Sequence, residues 1–307
     1  MVVYCRRYRA NFRLTECREN QFVLTTMVRK ARFIGVVLVL VLLVLGGWAF
    51  WWEPSTLTQK QYDIALNPWP SACDGLKVAV IADLDVGSPY NDLERLTEVV
   101  RTVNQSKPDV TLLGGDYVIH SVVGGSMIEP EPIAKELGKL EAKSGVYSVL
   151  GNHDWWFDGE RIKQALEDVG IPVLEDEAVE VEHHECRFWL VGISDYWERA
   201  HDIEKAFKAV PNDASVLVLT HNPDVFVDVP SRASVTFAGH THGGQVKLPF
   251  LGSPVTMSKY GQRFAVGHIE ENGKNLFVTP GLGTSVLPVR FRVPPEVSLV
   301  VLRHSSK

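Results

Sequence analysis

Side chains of the types that bind divalent cations recur along this chain, each shortly after an apolar, β-branched run. The runs cover residues 78–81, 110–113, 146–150, 216–219 and 235–237, and the side chains that follow them are Asp83, Asp85, Asp116, Asn152, His153, His221, His240 and His242. Buried strands of an α/β sheet present functional groups at their carboxyl ends. We therefore predict that these side chains meet at one edge of a sheet.

This set of side chains suits a pair of divalent cations. Two cations about 3.5–4 Å apart need one carboxylate between them, further carboxylate, imidazole and amide ligands, and open positions for water and substrate. Asp116 can supply the bridging carboxylate. Each motif alone is also ordinary loop chemistry, because Gly-Asp and Gly-Asn-His-Asp are common in turns. Their order, each at a strand end, favours the metal site.

The ordered motifs resemble those of the calcineurin-like metallophosphoesterases, which run Asp-x-His, Gly-Asp, Gly-Asn-His-Asp/Glu, His and Gly-His-x-His. Four are intact, as Gly115-Asp116, Gly151-Asn152-His153-Asp154, His221 and Gly239-His240-Thr241-His242. Segments 239–245, 280–285 and 290–296 resemble the membrane-associated subgroup that includes UDP-2,3-diacylglucosamine hydrolases and related phosphodiesterases. The resemblance covers roughly residues 73–303.

The resemblance implies a role for each of these residues. Metal one is expected to bind Asp83, Asp85, Asp116 and His242, and metal two to bind Asp116, Asn152, His221 and His240. A hydroxide bridging the cations would attack phosphorus in line. His153 is then the candidate proton donor to the leaving oxygen, and Asp154 is expected to fix the loop geometry.

Two positions depart from the family pattern. Asp85 stands where the family has histidine, and this extra negative charge would reduce the Lewis acidity of the site. Carboxylate ligands suit hard cations, so manganese is favoured as the cofactor, with magnesium, iron and zinc as alternatives. Ile119 and His120 replace the Asp-Arg pair of the protein-phosphatase branch, which argues against a phosphoserine phosphatase.

Strand and helix patterns alternate along the rest of the chain. Helices are predicted at 92–105, 131–141, 159–169 and 201–210, strands at 178–182 and 188–194, and a hairpin over 264–279. The resemblance implies an α/β fold, a four-layer α/β/β/α sandwich of two mixed sheets.

The N-terminal part predicts a membrane anchor before the enzyme domain. Residues 33–52 are 20 residues without a charge, which at the rise of an α-helix span about 30 Å of hydrocarbon. We predict a basic segment at 1–32, a transmembrane helix at 33–52, a linker at 53–72 and a metallophosphoesterase domain at 73–304. Met27 followed by Arg29, Lys30 and Arg32 resembles the start of a short signal anchor, so translation beginning there is an alternative.

Charge predicts the orientation of the anchor and excludes one class of partner. Residues 1–52 contain eight Lys/Arg and two Glu, so the positive-inside rule places the N-terminus in the cytoplasm and the domain outside it. Beyond residue 52 there are 23 basic and 35 acidic residues, which disfavours nucleic acid as a partner. Cys73 and Cys186 could pair in an extracytoplasmic domain, and free thiols are equally compatible with the sequence.

Three hypotheses for the function follow. The first is a single-pass membrane phosphodiesterase or pyrophosphatase acting on a lipid-linked phosphate, such as UDP-2,3-diacylglucosamine in lipid A biosynthesis. The second is a phosphoesterase for a soluble substrate, and the third is a non-catalytic binding protein whose metal one is impaired by Asp85. A UDP-lipid is expected at the cytoplasmic leaflet, whereas the charge rule places the domain outside. No protein partner is inferred.

Overall fold

A computed structural model of the protein describes residues 12–305. The first part of the predicted basic segment, residues 1–11, lies outside this range. The chain divides into two compact units, residues 1–48 and 49–307.

The part of the first unit that the structure describes, residues 12–48, is helical. Helix α1 covers Phe12–Gly47, and a π-helical turn continues it over Trp48–Trp52. Because the boundary between the units follows Trp48, residues 49–52 of this turn belong to the second unit. Over residues 12–305, one helix is long and apolar enough to cross a membrane, Phe22–Trp52. The predicted span at 33–52 lies within it, which confirms the expectation of a single apolar helix near the N-terminus.

The second unit contains a five-stranded mixed sheet. Its strands are β1 (Thr58–Leu66), β2 (Leu76–Ile81), β3 (Val110–Leu113), β4 (Val146–Ser148) and β11 (Glu296–His304). They are arranged in the order β1-β11-β2-β3-β4. Strands β2, β3 and β4 are parallel, and β11 is antiparallel to β2 and parallel to β1.

A six-stranded mixed sheet faces the first. It contains β5 (Glu177–His183), β6 (Cys186–Ile193), β7 (Val216–Thr220), β8 (Ala233–Ala238), β9 (Gly267–Glu271) and β10 (Lys274–Val278). The order is β5-β6-β7-β8-β10-β9. Strands β6, β7, β8 and β10 are parallel, and the edge strands β5 and β9 are antiparallel to their neighbours.

Helices cover the outer faces of both sheets. Helices α2 (Leu93–Ser106), α3 (Pro130–Leu137) and α5 (Gly159–Asp168) pack on the first sheet, and α6 (Ile203–Phe207) packs on the second. Helix α4 (Asn152–Phe157) lies at the carboxyl end of the first sheet. Apolar residues of both sheets, such as Val80 and Leu219, form the core between them. The predicted four-layer sandwich is confirmed.

The helices form where the apolar spacing predicts them, with differences at their ends. In α2, Leu96, Val99 and Val103 are buried on one face, and the Asp92 carboxylate accepts a hydrogen bond from the Arg95 amide at the N-terminus. Helix α3 ends at Leu137, before Gly138, rather than at 141. Glycine has a low helix propensity, so the turn that follows is not helical.

The predicted linker at 53–72 is in part a strand. Strand β1 pairs with β11 along its full length, from Thr58 to Leu66. The alternating burial of its side chains explains why this segment is a strand and not a linker, because Ile64 and Leu66 are buried while Asp63 and Ala65 are exposed. This period of two is the pattern of an edge strand with one buried face.

Cys73 and Cys186 form a disulfide bond, with their Cα atoms 4.7 Å apart. Cys73 precedes β2 of the first sheet and Cys186 begins β6 of the second. The bond therefore joins the two sheets at the amino ends of these strands, which is the edge opposite to the predicted site.

Candidate metal centre

All the predicted site residues lie together at the carboxyl ends of the central strands. They follow β2, β3, β7 and β8 or begin α4. Each is at most 5% exposed, and the set is Asp83, Asp85, Asp116, Asn152, His153, His221, His240 and His242. Burial of so many polar groups is costly unless they are paired or bind a cation.

The backbone turns sharply at these residues. Five have a positive φ angle, namely Asp83 (49°), Asp85 (43°), Asp116 (55°), His240 (70°) and His242 (50°). Such a conformation is uncommon for residues other than glycine and costs on the order of 1 kcal/mol each. Long-range hydrogen bonds hold it, since the Asp83 amide donates to the Gly115 carbonyl and the Asp85 amide to that of Asp116, both over 2.9 Å. Such strain is typical of functional sites.

Two glycines allow the strand-end loops to approach closely. A Cβ atom at Gly115, whose φ angle is 88°, would lie 2.5 Å from the amide nitrogen of Gly151. One at Gly151 would lie 2.7 Å from Cε1 of His221. Any larger residue would separate these loops. This explains the glycine that precedes Asp116 and the one that precedes Asn152.

Three side chains converge on one ring nitrogen of His221. Nε2 of His221 lies 3.1 Å from Nδ1 of His240, 3.2 Å from Oδ1 of Asn152 and 3.3 Å from Oδ2 of Asp116. The ligand atoms of Asp116, His221 and His240 all lie within 4.8 Å of one another.

The tautomers of both histidines direct lone pairs into this cluster. Nδ1 of His221 lies 2.7 Å from the carbonyl oxygen of Gly114, and Nε2 of His240 lies 3.1 Å from that of Met257. A carbonyl can only accept a hydrogen bond, so each of these nitrogens carries the hydrogen and the other ring nitrogen is the free ligand. Such outer contacts orient histidines that bind metals. The four side chains thus fit a divalent cation.

A second group of ligand atoms lies beside the first. Nε2 of His242 is 4.0 Å from Oδ1 of Asp83 and 3.7 Å from Oδ2 of Asp85. Over residues 12–305, three buried atoms of this group have no hydrogen-bond partner, Oδ2 of Asp83, Oδ2 of Asp85 and Nδ1 of His242. Buried carboxylate oxygens are rarely unpartnered unless they bind an ion or water. This group fits a second, hard cation.

Asp116 is close to ligand atoms of both groups, lying within 4.8 Å of those of His221 and His240 and also of that of Asp85. Its Oδ2 atom is 3.3 Å from Nε2 of His221 and 3.6 Å from Nδ1 of His153, and its Oδ1 atom accepts the His153 amide over 2.9 Å. Asp154 joins the loop of Asp116 to the loop that precedes α4, because its carboxylate accepts hydrogen bonds from the amides of Asp116, Tyr117 and Gly151. The expected role of Asp154 in loop geometry is confirmed by these contacts.

Protons balance the negative charge of the site when no cation is considered. Burial alone would lower the pKa of His153, but Asp116 and the hydrogen-bonded Asp85 raise it to about 10. Burial would also lower the pKa of His221, but Asp116 raises it well above its usual value. Burial and the charged His221 lower the pKa of His240 to about 3. The site therefore attracts positive charge, and a cation must displace protons to bind.

Sequence reasoning missed Arg290 as a residue of this site. Its buried guanidinium donates hydrogen bonds to the carbonyl oxygens of Pro280, Gly283 and Val293. Burial lowers its pKa to about 10, against the attraction of Asp83 and Asp85. Arg290 thus holds the final loop around these aspartates. Segment 290–296 contributed to the family resemblance, but no nearby motif indicated that the side chain of Arg290 would be buried.

Sequence reasoning also missed two tryptophans at the entrance. The Trp156 ring stacks on His153, 5.3 Å between centroids, and the Trp197 ring meets His240 edge-on at 4.4 Å. Both are about 40% exposed. The ring centroids of His120 and Trp156 are 4.8 Å apart. The spacing of three residues between His153 and Trp156 on a helix was a usable signal, whereas nothing local indicated Trp197.

Comparison with known proteins agrees with this geometry. Residues 76–244 match the family model of the calcineurin-like phosphoesterases. The chain is 30% identical over 232 residues to phosphodiesterase YaeI of Escherichia coli (strain K12), covering 74% of this chain and 82% of YaeI. It is 26% identical over 274 residues to the uncharacterized metallophosphoesterase YkuE of Bacillus subtilis (strain 168), covering 85% and 90%.

A relative from Danio rerio, a transmembrane protein with a metallophosphoesterase domain, is 26% identical over 261 residues. That alignment covers 79% of this chain and 56% of the relative. Together with the apolar helix Phe22–Trp52, this likeness is consistent with a single-pass membrane protein.

The matched range, residues 76–244, contains every predicted metal ligand and His153. Membership implies a dinuclear site for divalent cations and a phosphorylated small-molecule substrate. This chain belongs to the calcineurin-like phosphoesterase family of metal-dependent phosphoester hydrolases.

Proposed function

We propose that the chain is a membrane-anchored phosphodiesterase or pyrophosphatase with two divalent cations. The observation that carries this proposal is the convergence of buried ligand atoms around Asp116, which lies within 4.8 Å of ligand atoms of His221 and His240 and also of Asp85. The name of YaeI, a phosphodiesterase 30% identical to this chain, supports a diester as the substrate.

Metal one is proposed to bind Asp83, Asp85, Asp116 and His242, and metal two Asp116, Asn152, His221 and His240. The bound cations would supply a nucleophilic water and neutralise charge on the phosphoryl oxygens. Three of the seven ligands are carboxylates, so manganese is the favoured cation, ahead of magnesium, iron and zinc.

His153 is proposed as the proton donor to the leaving oxygen. Its ring is held by Asp85 over 2.9 Å and by stacking on Trp156. Both contacts restrict ring rotation, which keeps Nε2 available to a substrate at the entrance. The high pKa of His153, about 10 without a cation, agrees with a group that carries a proton at neutral pH.

We propose that the substrate is lipid-linked and that the domain is extracytoplasmic. Only five residues separate Trp52, where the apolar helix ends, from Thr58, where strand β1 of the domain begins, and this short connection supports a lipid-linked substrate. The excess of basic residues before the helix supports a cytoplasmic N-terminus. The disulfide between Cys73 and Cys186 supports an oxidising compartment for the domain.

The reaction is tested with the purified full chain in detergent and bis(p-nitrophenyl) phosphate, with manganese, magnesium, iron or zinc added in turn. We expect turnover, greatest with manganese. Asp116→Asn should reduce both the affinity for the cations and the turnover by at least about a hundredfold. His184→Ala, at an exposed position, should leave both unchanged. A parent protein that binds two cations yet hydrolyses neither a diester nor a pyrophosphate would indicate the non-catalytic alternative.

The substrate class is tested with matched pairs of esters. Lipid-linked diesters and pyrophosphates in mixed micelles, UDP-2,3-diacylglucosamine among them, are compared with their water-soluble analogues. A higher kcat/KM for the lipid-linked member of each pair is the expected result. The orientation is tested by alkaline phosphatase fused after Lys307, which is active only outside the cytoplasm. An inactive fusion would place the domain in the cytoplasm.

A further inference from the structure

Three loops beside the metal centre expose large apolar side chains. We name the surface that they form the apolar rim, and it consists of loops 120–128, 246–258 and 284–292. Phe250 is fully exposed, and Leu251 and Val255 are 69% and 68% exposed. Val123, Met127, Val286 and Leu287 are also at least 46% exposed. An exposed group of apolar residues of this size marks an interaction surface.

Backbone hydrogen bonds join the three loops. The amide of Val123 donates to the carbonyl of Val286 over 3.0 Å, and the amide of Lys247 donates to that of Phe291 over 2.9 Å. A turn at Leu248–Gly252, closed by reciprocal hydrogen bonds between those two residues, presents Phe250 and Leu251 at its tip. The three loops of the apolar rim are therefore held next to one another.

The apolar rim lies where the apolar helix ends. The amide of Arg290, in loop 284–292, donates to the carbonyl of Ala49 over 2.9 Å, and the Tyr90 hydroxyl donates to that of Phe50 over 3.0 Å. Both acceptors belong to the last turn of that helix and to the same compact unit as the loops. Trp51 and Trp52 in this turn are 68% and 58% exposed, as expected of an interfacial aromatic belt.

The charge of the apolar rim differs from that of the domain. Loops 120–128, 246–258 and 284–292 include three basic side chains and no acidic one, namely the exposed Lys247 and Arg292 and the buried Arg290. The domain beyond residue 52 has 12 more acidic than basic residues. Exposed Lys247 and Arg292 thus suit an anionic partner, and basic residues near a membrane are attracted to anionic lipid headgroups.

From these observations we infer that the apolar rim rests in the interfacial layer of the bilayer that holds the helix, with an anionic lipid surface as its occupant. Phe250 and Leu251 enter the boundary between headgroups and acyl chains, and Lys247 and Arg292 contact headgroup phosphates. The inference rests on the proposed membrane anchor and not on the proposed reaction.

This contact would bring the bilayer to the metal centre. Met257, in loop 246–258, accepts a hydrogen bond from Nε2 of His240 over 3.1 Å. The loop that enters the membrane therefore also orients a proposed metal ligand. A phosphate at the headgroup level would reach the cations without leaving the membrane surface.

The test uses the full chain in nanodiscs that contain anionic lipid, with Cys5→Ser and Cys17→Ser as background and the Cys73–Cys186 disulfide kept. An environment-sensitive fluorophore is attached at Leu251→Cys or, as a control, at Asn272→Cys in the exposed β9–β10 turn. This turn precedes β10 and lies at the edge opposite to the metal centre. We expect blue-shifted emission and several-fold stronger quenching by spin-labelled lipid at position 251 than at 272.

Equal quenching at the two positions would overturn the inference. Blue-shifted emission without lipid quenching would also overturn it, because a second copy of the chain would then cover the apolar rim. Extraction of the parent protein by alkaline carbonate would instead contradict the anchor itself, and with it the premise of this inference.

A functional readout separates the apolar rim from the reaction. The double substitution Phe250→Asp and Leu251→Asp should abolish the lipid quenching of a probe at Val255→Cys and slow hydrolysis of a lipid-linked diester in vesicles several-fold. Turnover of soluble bis(p-nitrophenyl) phosphate should not change. Unaltered quenching in this variant would contradict the inference. If the parent protein hydrolysed neither the lipid-linked diester nor the soluble one, that result would count only against the proposed function.

Discussion

Nδ1 of His153 lies 2.9 Å from Oδ1 of Asp85, the residue that stands in place of the histidine in the first family motif. The other oxygen of Asp85 is buried, has no hydrogen-bond partner over residues 12–305 and lies 3.7 Å from Nε2 of His242. One carboxylate can therefore bind a cation with one oxygen and hold the proposed proton donor with the other. This geometry supports an enzyme and not the non-catalytic alternative.

Asp85→His should retain the metals and impair proton donation. An imidazole can bind metal one, but a ring nitrogen that binds a cation cannot also accept from His153. We expect two cations per chain by elemental analysis. The loss of kcat should be about tenfold or more for a diester with an alkyl leaving group and smaller for p-nitrophenolate. Equal losses for both leaving groups would contradict the role of Asp85 in positioning His153.

His153→Ala should slow the reaction without emptying the site. Proton transfer by a positioned side chain contributes about 10²–10⁴-fold to a rate, so kcat should fall within this range for an alkyl ester. The fall should be least for p-nitrophenyl esters, whose leaving group needs no proton. Trp156→Leu is a useful comparison, because it removes the stacking partner of His153 but keeps the imidazole. If His153→Ala instead lost the metals, His153 would be a ligand.

Metal affinity should rise with pH. The raised pKa values of His153 and His221 mean that both rings hold protons in the metal-free protein near neutral pH. Metal binding to His221 must release its proton, so each unit of acidification should weaken binding by up to about tenfold per proton released. Calorimetry in two buffers of different ionisation enthalpy measures this release at pH 7. A proton release of zero would contradict the prediction.

Glu175→Gln should stabilise the protein at alkaline pH. Burial raises the pKa of Glu175 to about 7, although hydrogen bonds from Ser194 and the Leu150 amide oppose the shift. The folded state then binds this proton more tightly than the unfolded state, so the contribution of Glu175 to stability is largest below about pH 4.5 and is lost as pH rises through 7.

Glutamine removes this cost, and the free energy of unfolding of the metal-free variant should exceed that of the parent by about 1–3 kcal/mol at pH 8. The two proteins should be similar near pH 4.5. Urea denaturation at both pH values provides the measurement, with Glu177→Gln, at the exposed neighbouring position, as the control. A constant difference across pH would indicate a packing effect and not the ionisation of Glu175.

The local sequence determined the main strands and the composition of the metal centre. A buried strand is a short apolar run, and a residue just past its carboxyl end must reach the edge of the sheet, so the positions of Asp116 and His221 followed from a few neighbouring residues. The apolar helix followed in the same way from 20 uncharged residues. Each of these features depends on residues close together in the chain.

Only the tertiary structure decided the features that join distant segments. Strand β1 is a strand because β11, more than 230 residues later, offers it an edge. The disulfide joins cysteines 113 residues apart, and the partner of His153 is 68 residues before it. Arg290 and Trp197 reach the site through loops whose path depends on packing. Pairings of this kind depend on the whole core and not on local preference, because the same residue types are equally common in solvated loops.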